Sequence, residues 1–230
     1  MSFPQSLLQI HSRPTAVDPS TWRAYLEQQI SDIVTSKVAR RAALYEVYHN
    51  FELATSTEQP PDEKTFLVLC HSDHLVPSDT DTYKNLLKPS KLLGGKDANS
   101  VAAIEVRNSS LIQSVDPKHL GDKEPPYMLL CEIEPQDDQD YDRFYREEHL
   151  GNLLNVPGYR RSARYRLGKV EGDTKEKIPR FFAVHEWDTL QHMNGPELLY
   201  ADATPWARRI LENFKDVRGF KLVKGVGYDK

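Results

Sequence analysis

Residues 159–165 read Tyr159-Arg160-Arg161-Ser162-Ala163-Arg164-Tyr165, and residues 39–45 read Ala39-Arg40-Arg41-Ala42-Ala43-Leu44-Tyr45. The offset between them is 120 residues, from 39 to 159. The same offset sets Tyr25 on Tyr145, Ile30 on Leu150, Ile33 on Leu153 and Val34 on Leu154. A match spaced by about half of the 230-residue chain points to a duplicated unit, which has to be read before a fold is assigned.

The second copy is the clearer one. Tyr127–Glu134 is a short apolar run and reads as a strand. From Asp140 to about Asn155, the apolar residues Tyr141, Phe144, Tyr145, Leu150, Leu153 and Leu154 approximate one face of a helix, with Asp140 and Asp142 in its first turn. Pro157-Gly158 ends that helix. Tyr159–Val170 reads as a strand, Gly172–Lys177 as a polar turn and Pro179–Trp187 as a further strand. A helix over Pro205–Phe214 and a strand over Phe220–Val226 complete the order β-α-β-β-α-β, the ferredoxin-like split motif.

The first copy follows the same order. Leu7–Arg13 is a strand, and Asp18-Pro19-Ser20 opens a helix through Trp22, Leu26, Ile30 and Ile33. Arg41–Leu53 is a strand, Ser56–Lys64 a turn, Phe66–His71 a strand and Thr82–Leu87 a short helix. Ala102–Val115 is the fourth strand, with an irregularity near Asn108. The chain therefore divides into a repeat over 1–116, a Pro- and Gly-containing linker over 117–126 and a repeat over 127–230. The fold class is α+β.

Composition narrows the function classes. Thirty Lys and Arg against 34 Asp and Glu give a net charge of −4, so a basic nucleic-acid footprint and a polybasic membrane patch are missing. No apolar run approaches the roughly 20 residues of a membrane helix. The first residues lack a secretory pattern. Cys70 and Cys131 are far apart in apolar runs and read as buried free thiols of a reducing, cytoplasmic setting. Dinucleotide, P-loop and nucleophile-elbow motifs are absent, so no nucleotide or flavin is expected.

Phe144-Tyr145-Arg146-Glu147-Glu148-His149-Leu150, followed by Val156-Pro157-Gly158-Tyr159-Arg160-Arg161, resembles the EthD-like family. The element order is similar to that of the dimeric α+β barrel superfamily, in which two ferredoxin-like units join their sheets. The resemblance implies an intrachain barrel made from the two repeats, with a ligand cavity between a sheet and its own helices. It implies that His149 points into that cavity. In the first repeat Gln29 stands at the position of His149 and Val38 at that of Gly158, so a site there would be lost.

Several residues are candidates for chemistry. His149 has an imidazole able to exchange protons near neutral pH; in its own charged run it also reads as a surface histidine. His185 alternates with Phe181, Ala183 and Trp187 on one strand face, while Glu186 points the other way. A core histidine would have the same pattern. Tyr145 lies one helical turn before His149, and Tyr165 is a possible phenol donor on the next strand. Phe181, Trp187, Leu153 and Phe144 are the expected substrate-binding wall. The Arg160, Arg164 and Arg166 face reads as solvated, with a carboxylate-binding patch as the functional option. Cys70-His71-x-x-His74 has metal-like spacing but no second pair, and Cys70 and His71 alternate in direction, so no metal is expected.

The function expected from these residues and the resemblance is a cofactor-independent enzyme working by general acid–base chemistry. Its substrate would be a hydrophobic, oxygenated polyketide-like or aromatic small molecule, and its type decarboxylase, cyclase, dehydratase or isomerase. The alternatives are a cofactor-free monooxygenase, a haem-binding protein with His149, His185 or His71 as axial ligand, and a non-catalytic ligand-binding or stress-associated protein. The assembly expected is a monomer or homodimer without nucleic acid or membrane partners.

Overall fold

The computed structural model describes residues 5–49, 65–86, 89–172 and 177–229. The expected turn at 56–64, the end of the preceding strand, Leu87 and most of the polar turn after Gly172 lie outside the described residues.

The first repeat runs β1 (Ser6–Pro14), α1 (Pro19–Thr35), β2 (Arg41–Val47), β3 (Phe66–Ser72), α2 (Asp81–Leu86) and β4 (Ala102–Val115). Helix α1 begins where the sequence places it. Pro19 occupies the first turn, and the Asp18 carboxylate accepts a hydrogen bond from the Thr21 N–H at 2.9 Å. Its buried residues Trp22, Leu26, Ile30 and Ile33 recur every three or four positions and cover the sheet.

The second repeat runs β5 (Tyr127–Ile133), α3 (Asp138–Phe144), a π-helical turn (Tyr145–His149) and α4 (Leu150–Leu153). It continues with β6 (Tyr159–Gly172), β7 (Phe181–Trp187), α5 (Pro196–Ala203), α6 (Pro205–Leu211) and β8 (Phe214–Val226). Three details differ from the sequence reading. The helix expected over 140–155 is interrupted by the π turn. Helix α5, with only Leu198 and Ala201 fully buried, gave too short an apolar pattern to be noticed. Phe214 opens β8 rather than closing α6, which ends at Leu211 after Thr204 Oγ1 has capped its start by accepting from the Ala207 N–H at 3.0 Å.

All strand pairs are antiparallel and close into one barrel in the order β1-β3-β2-β8-β5-β7-β6-β4. Each repeat contributes a four-stranded ferredoxin-like sheet, β4-β1-β3-β2 and β8-β5-β7-β6. The seams are β2 with β8 and β4 with β6. The irregularity expected near Asn108 is present as a register shift between Arg107 and Ser109. There the Asn108 side chain donates to Ser78 Oγ at 2.8 Å.

Alternation along the strands sorts side chains into three layers. One layer faces α1 and a second faces the helices of the second repeat. The third fills the barrel with Leu7, Tyr45, Leu69, Leu130, Phe182 and Phe220 from both repeats. Arginine–carboxylate pairs lie among these apolar residues, including Arg161 with Glu186 and Arg107 with Glu105 and Glu132. The segment joining the repeats closes one barrel end: Asp122 pairs with Arg41, and the Gly121 and Lys123 carbonyls accept from Arg161. Both cysteines are free and buried. Among the described residues no helix is long and apolar enough to cross a membrane.

Candidate functional site

The site is built where the helix after β5 lies on the outer face of the second sheet. In the π turn the Leu150 N–H donates to the Tyr145 carbonyl, five residues back, and so lodges one extra residue in the helix. At about 100° per residue, an uninterrupted α-helix would set Leu150 about 180° and Leu153 about 120° from Tyr141. One extra residue brings those angles to about 80° and about 20°. Tyr141, Phe144, Tyr145, His149, Leu150 and Leu153 therefore all face the sheet and are buried.

Strand β7 supplies the facing wall. Phe181, Ala183, His185 and Trp187 point toward the helices, as their alternation requires, while Glu186 points into the barrel and pairs with Arg161. His149 and His185 meet between helix and strand with ring centroids 6.0 Å apart at 76°. Tyr145 lies edge-on to His149 at 5.0 Å and nearly parallel to His185 at 6.2 Å. Phe144 stacks on the other side of His149 at 5.0 Å. His149 is only 5% and His185 only 3% exposed.

Strand β6 adds residues that the sequence reading missed. The register shift between Tyr159 and Arg161 leaves one extra residue, so Tyr159 faces outward on the same side as Ser162. Tyr159 OH lies 2.7 Å from Ser162 Oγ, which in turn lies 2.6 Å from His185 Nδ1. Arg164 is the main correction. Rather than belonging to a solvated face it is 1% exposed, with its guanidinium 4.5 Å from the Tyr141 ring centroid and 4.4 Å from that of Tyr145. It donates to Gln113 at 2.7 Å and to the Asp142 carboxylate at 3.0 Å. The signal was available in the pairing of Ser162 with His185 and Arg164 with Ala183. Reading it needed a register that a bulged strand does not disclose.

Of the residues expected in the site, His149, His185, Tyr145, Phe144, Leu153, Phe181 and Trp187 belong to one buried cluster or pack within it. Tyr165 does not join them. It lies on the barrel side of β6, stacked on Phe182 at 5.2 Å, and the sheet itself separates it from His149. The reason is parity, since the shift near Arg160 leaves Tyr165 in phase with Arg161 and out of phase with Tyr159.

Burial sets the charge states. Loss of hydration, with the Arg164 cation adding to it, draws the His149 imidazole down to about 4. Burial draws His185 to about 3, with His149 and Arg164 contributing. The Tyr145 phenol is pushed well above its usual range by burial. Burial also pushes the nearby Asp202 carboxyl up to about 6. At neutral pH the cluster thus holds two neutral imidazoles and a neutral phenol beside a guanidinium. Among the described residues, Nδ1 of His149 and the hydroxyl of Tyr145 are buried without a hydrogen-bond partner, and such atoms ordinarily find one.

A haem would need an imidazole with a free coordination direction opening onto a porphyrin-wide slot. His149 is flanked by the rings of Phe144 and Tyr145, and His185 by those of Tyr145 and His149. His71 faces the barrel interior, near Arg41 and Arg161. These arrangements do not fit a haem. Among the described residues no group of three or more His, Cys, Asp or Glu could hold a metal ion. Cys70 packs under α1, on the opposite face from His71, and His74 is exposed.

No protein-family model matches the chain, and no curated protein matches it. Solved structures do, over nearly its whole length. An anthrone oxidase-like protein matches with a TM-score of 0.55 at 13% identity, covering 96% of this chain and 92% of that one. A mutant chlorite dismutase from Candidatus Nitrospira defluvii matches with a TM-score of 0.57 at 10% identity, covering 97% and 93%. A candidate monooxygenase from Fusobacterium nucleatum matches with a TM-score of 0.54 at 7% identity, covering 97% and 95%. At these identities the likeness is one of fold, that of the dimeric α+β barrel proteins.

Proposed function

We propose that this dimeric α+β barrel chain is a cofactor-independent enzyme that removes a proton from an enolisable or phenolic, polycyclic or polyketide-like ketone. The observation that carries the reading is the buried pair of neutral imidazoles, His149 and His185, set beside the Arg164 cation. His149 acts as the base. It takes a proton from the carbon next to the carbonyl, and the electron pair moves onto the carbonyl oxygen as an enolate. Arg164 and the Tyr145 hydroxyl stabilise that oxyanion, which gains most from fixed donors in a water-poor site. His185 returns a proton at the end of a lyase or isomerase cycle. Phe144, Leu153, Phe181 and Trp187 form the apolar wall. The EthD-like assignment of the second repeat rests on the same residues, because it requires His149 to face inward.

A second reading shares the first step. The likeness to an anthrone oxidase-like protein favours an enolate that reacts with molecular oxygen. One oxygen atom enters the activated carbon as a new carbonyl and the other leaves as water, so an anthrone would give an anthraquinone without a cofactor. The repeats over 1–116 and 127–230 close the barrel within one chain, and this supports a monomer as the working unit.

The test is turnover of anthrone and of non-oxidisable enolisable ketones, with and without oxygen, by the protein and by His149→Gln. Oxygen-dependent quinone formation selects the monooxygenase. Oxygen-independent deuterium exchange or carbon–carbon cleavage selects the lyase or isomerase. Turnover equal in His149→Gln and the parent protein overturns both.

A further inference from the structure

The row Tyr159, Ser162 and His185 is assigned no part in the acid–base step beyond its terminal imidazole. All three residues are buried, at 2%, 2% and 3% exposure, and their polar atoms form one chain with links of 2.7 and 2.6 Å. We propose that Tyr159 and Ser162 are positioning residues that hold His185 in the tautomer protonated on Nε2, making it the proton donor of the pair and leaving His149 as the base. The role assignment rests on the acid–base reading above; the tautomer itself does not.

Donor counting supports this arrangement. A tyrosine hydroxyl and a serine hydroxyl each have one proton to donate, and a neutral imidazole carries one N–H. In one arrangement Tyr159 donates to Ser162 and Ser162 donates to Nδ1 of His185. Both hydroxyl protons are then used, and the imidazole N–H falls on Nε2. In the reverse arrangement His185 donates to Ser162 and Ser162 to Tyr159, which leaves the buried Tyr159 proton without an acceptor. If Tyr159 and His185 both donate to Ser162, the serine proton is left over instead. A buried donor left unpaired is the costlier choice, and among the described residues neither hydroxyl has another partner.

The bulge in β6 makes the row possible. In regular alternation Tyr159 and Ser162 would point to opposite faces of the sheet, and the extra residue before Arg161 brings them to the same one. Nε2, on the ring edge away from Ser162, is not fully buried, so a proton carried there is not a sealed donor left over, as it would be on either hydroxyl, and it can meet water or a substrate.

The experiment is long-range proton–nitrogen NMR on the intact protein labelled with nitrogen-15 histidine, with the His185 signals assigned by their loss in His185→Gln. At pH 7 the expected spectrum shows an unprotonated Nδ1 and a protonated Nε2. Ser162→Ala is expected to give a mixture of tautomers and Ser162→Thr to keep the single one. Protonated Nδ1 in the parent protein overturns the proposal, and so does an unchanged tautomer in Ser162→Ala. If Ser162→Ala fails to fold, the parent spectrum alone decides. No activity enters this readout, so a failed substrate assignment leaves its outcome intact.

Discussion

His149, carried by a π-helical turn, and His185, carried by a strand, place their rings 6.0 Å apart in a region where each is at most 5% exposed. Two imidazoles brought so close in a dry site cannot both hold a proton at neutral pH, because each charge would lack hydration and repel the other. On the proposed reading the pair is a reserve of neutral base and neutral donor. The fold keeps it beside a permanently charged arginine.

Removing the base should be felt mainly in turnover. His149→Gln is expected to lower kcat on an accepted ketone substrate by about 10²-fold or more, the usual worth of a positioned proton acceptor. Steady-state kinetics, with circular dichroism to confirm the fold, checks this.

Arg164 is expected to act through its charge. Arg164→Met should lower kcat/KM by about 10²-fold, as loss of an oxyanion donor does. It should also move the acid limb of the pH–rate profile upward, since Arg164 is one of the causes that hold His149 down to about 4. Arg164→Lys should keep the position of that limb while losing rate, because a lysine retains the charge without the planar stacking on Tyr141 and Tyr145. A limb unmoved in Arg164→Met would count against the assignment.

Stability should report the same burial. The folded values of about 4 and about 3 lie below the unfolded histidine value, so between pH 6.5 and those values the unfolded chain binds more protons than the native one. The contribution is fully present above about pH 6.5 and is lost as the pH falls. Between pH 6.5 and 5 each imidazole accounts for roughly 2 kcal/mol. The raised carboxyl of Asp202 works in the opposite direction, so the comparison must be made within a pair of proteins. Urea midpoints of the parent and of His149→Gln/His185→Gln at pH 7 and pH 5 should show a smaller acid loss in the variant.

One seam of the barrel offers a structural test. Gly172 ends β6 with φ of 96°, and a Cβ there would run into the Ile104 carbonyl oxygen on β4. Backbone strain and clash act together, so Gly172→Ala should destabilise by roughly 2 kcal/mol or more. Gly151→Ala, on a helix with nothing within 4 Å of the added carbon, serves as the control and should hold or raise stability. Thermal midpoints of the two variants give the comparison.

Titration with haemin is expected to give no stoichiometric Soret band, because the rings of Phe144 and Tyr145 flank His149 and those of Tyr145 and His149 flank His185. A band at one equivalent that is lost in His149→Ala would reverse the reading.

The β-α-β-β-α-β order, the α+β class and most of the elements were legible in the sequence because they depend on local rules. Alternation in 181–187 was enough to place His185 with Trp187 and to turn Glu186 away. Asp18 and Pro19 fixed the start of α1, and Pro157-Gly158 the end of the helix that carries His149. Tertiary structure alone decided where these rules slip by one residue. The π turn over Tyr145–His149 and the bulge before Arg161 each insert a residue and so change which face every later side chain takes. Thus Arg164 went under the helix, Tyr159 joined Ser162 and Tyr165 passed into the barrel. A one-residue shift is set by contacts between elements far apart in the chain, so no periodicity within a single segment records it.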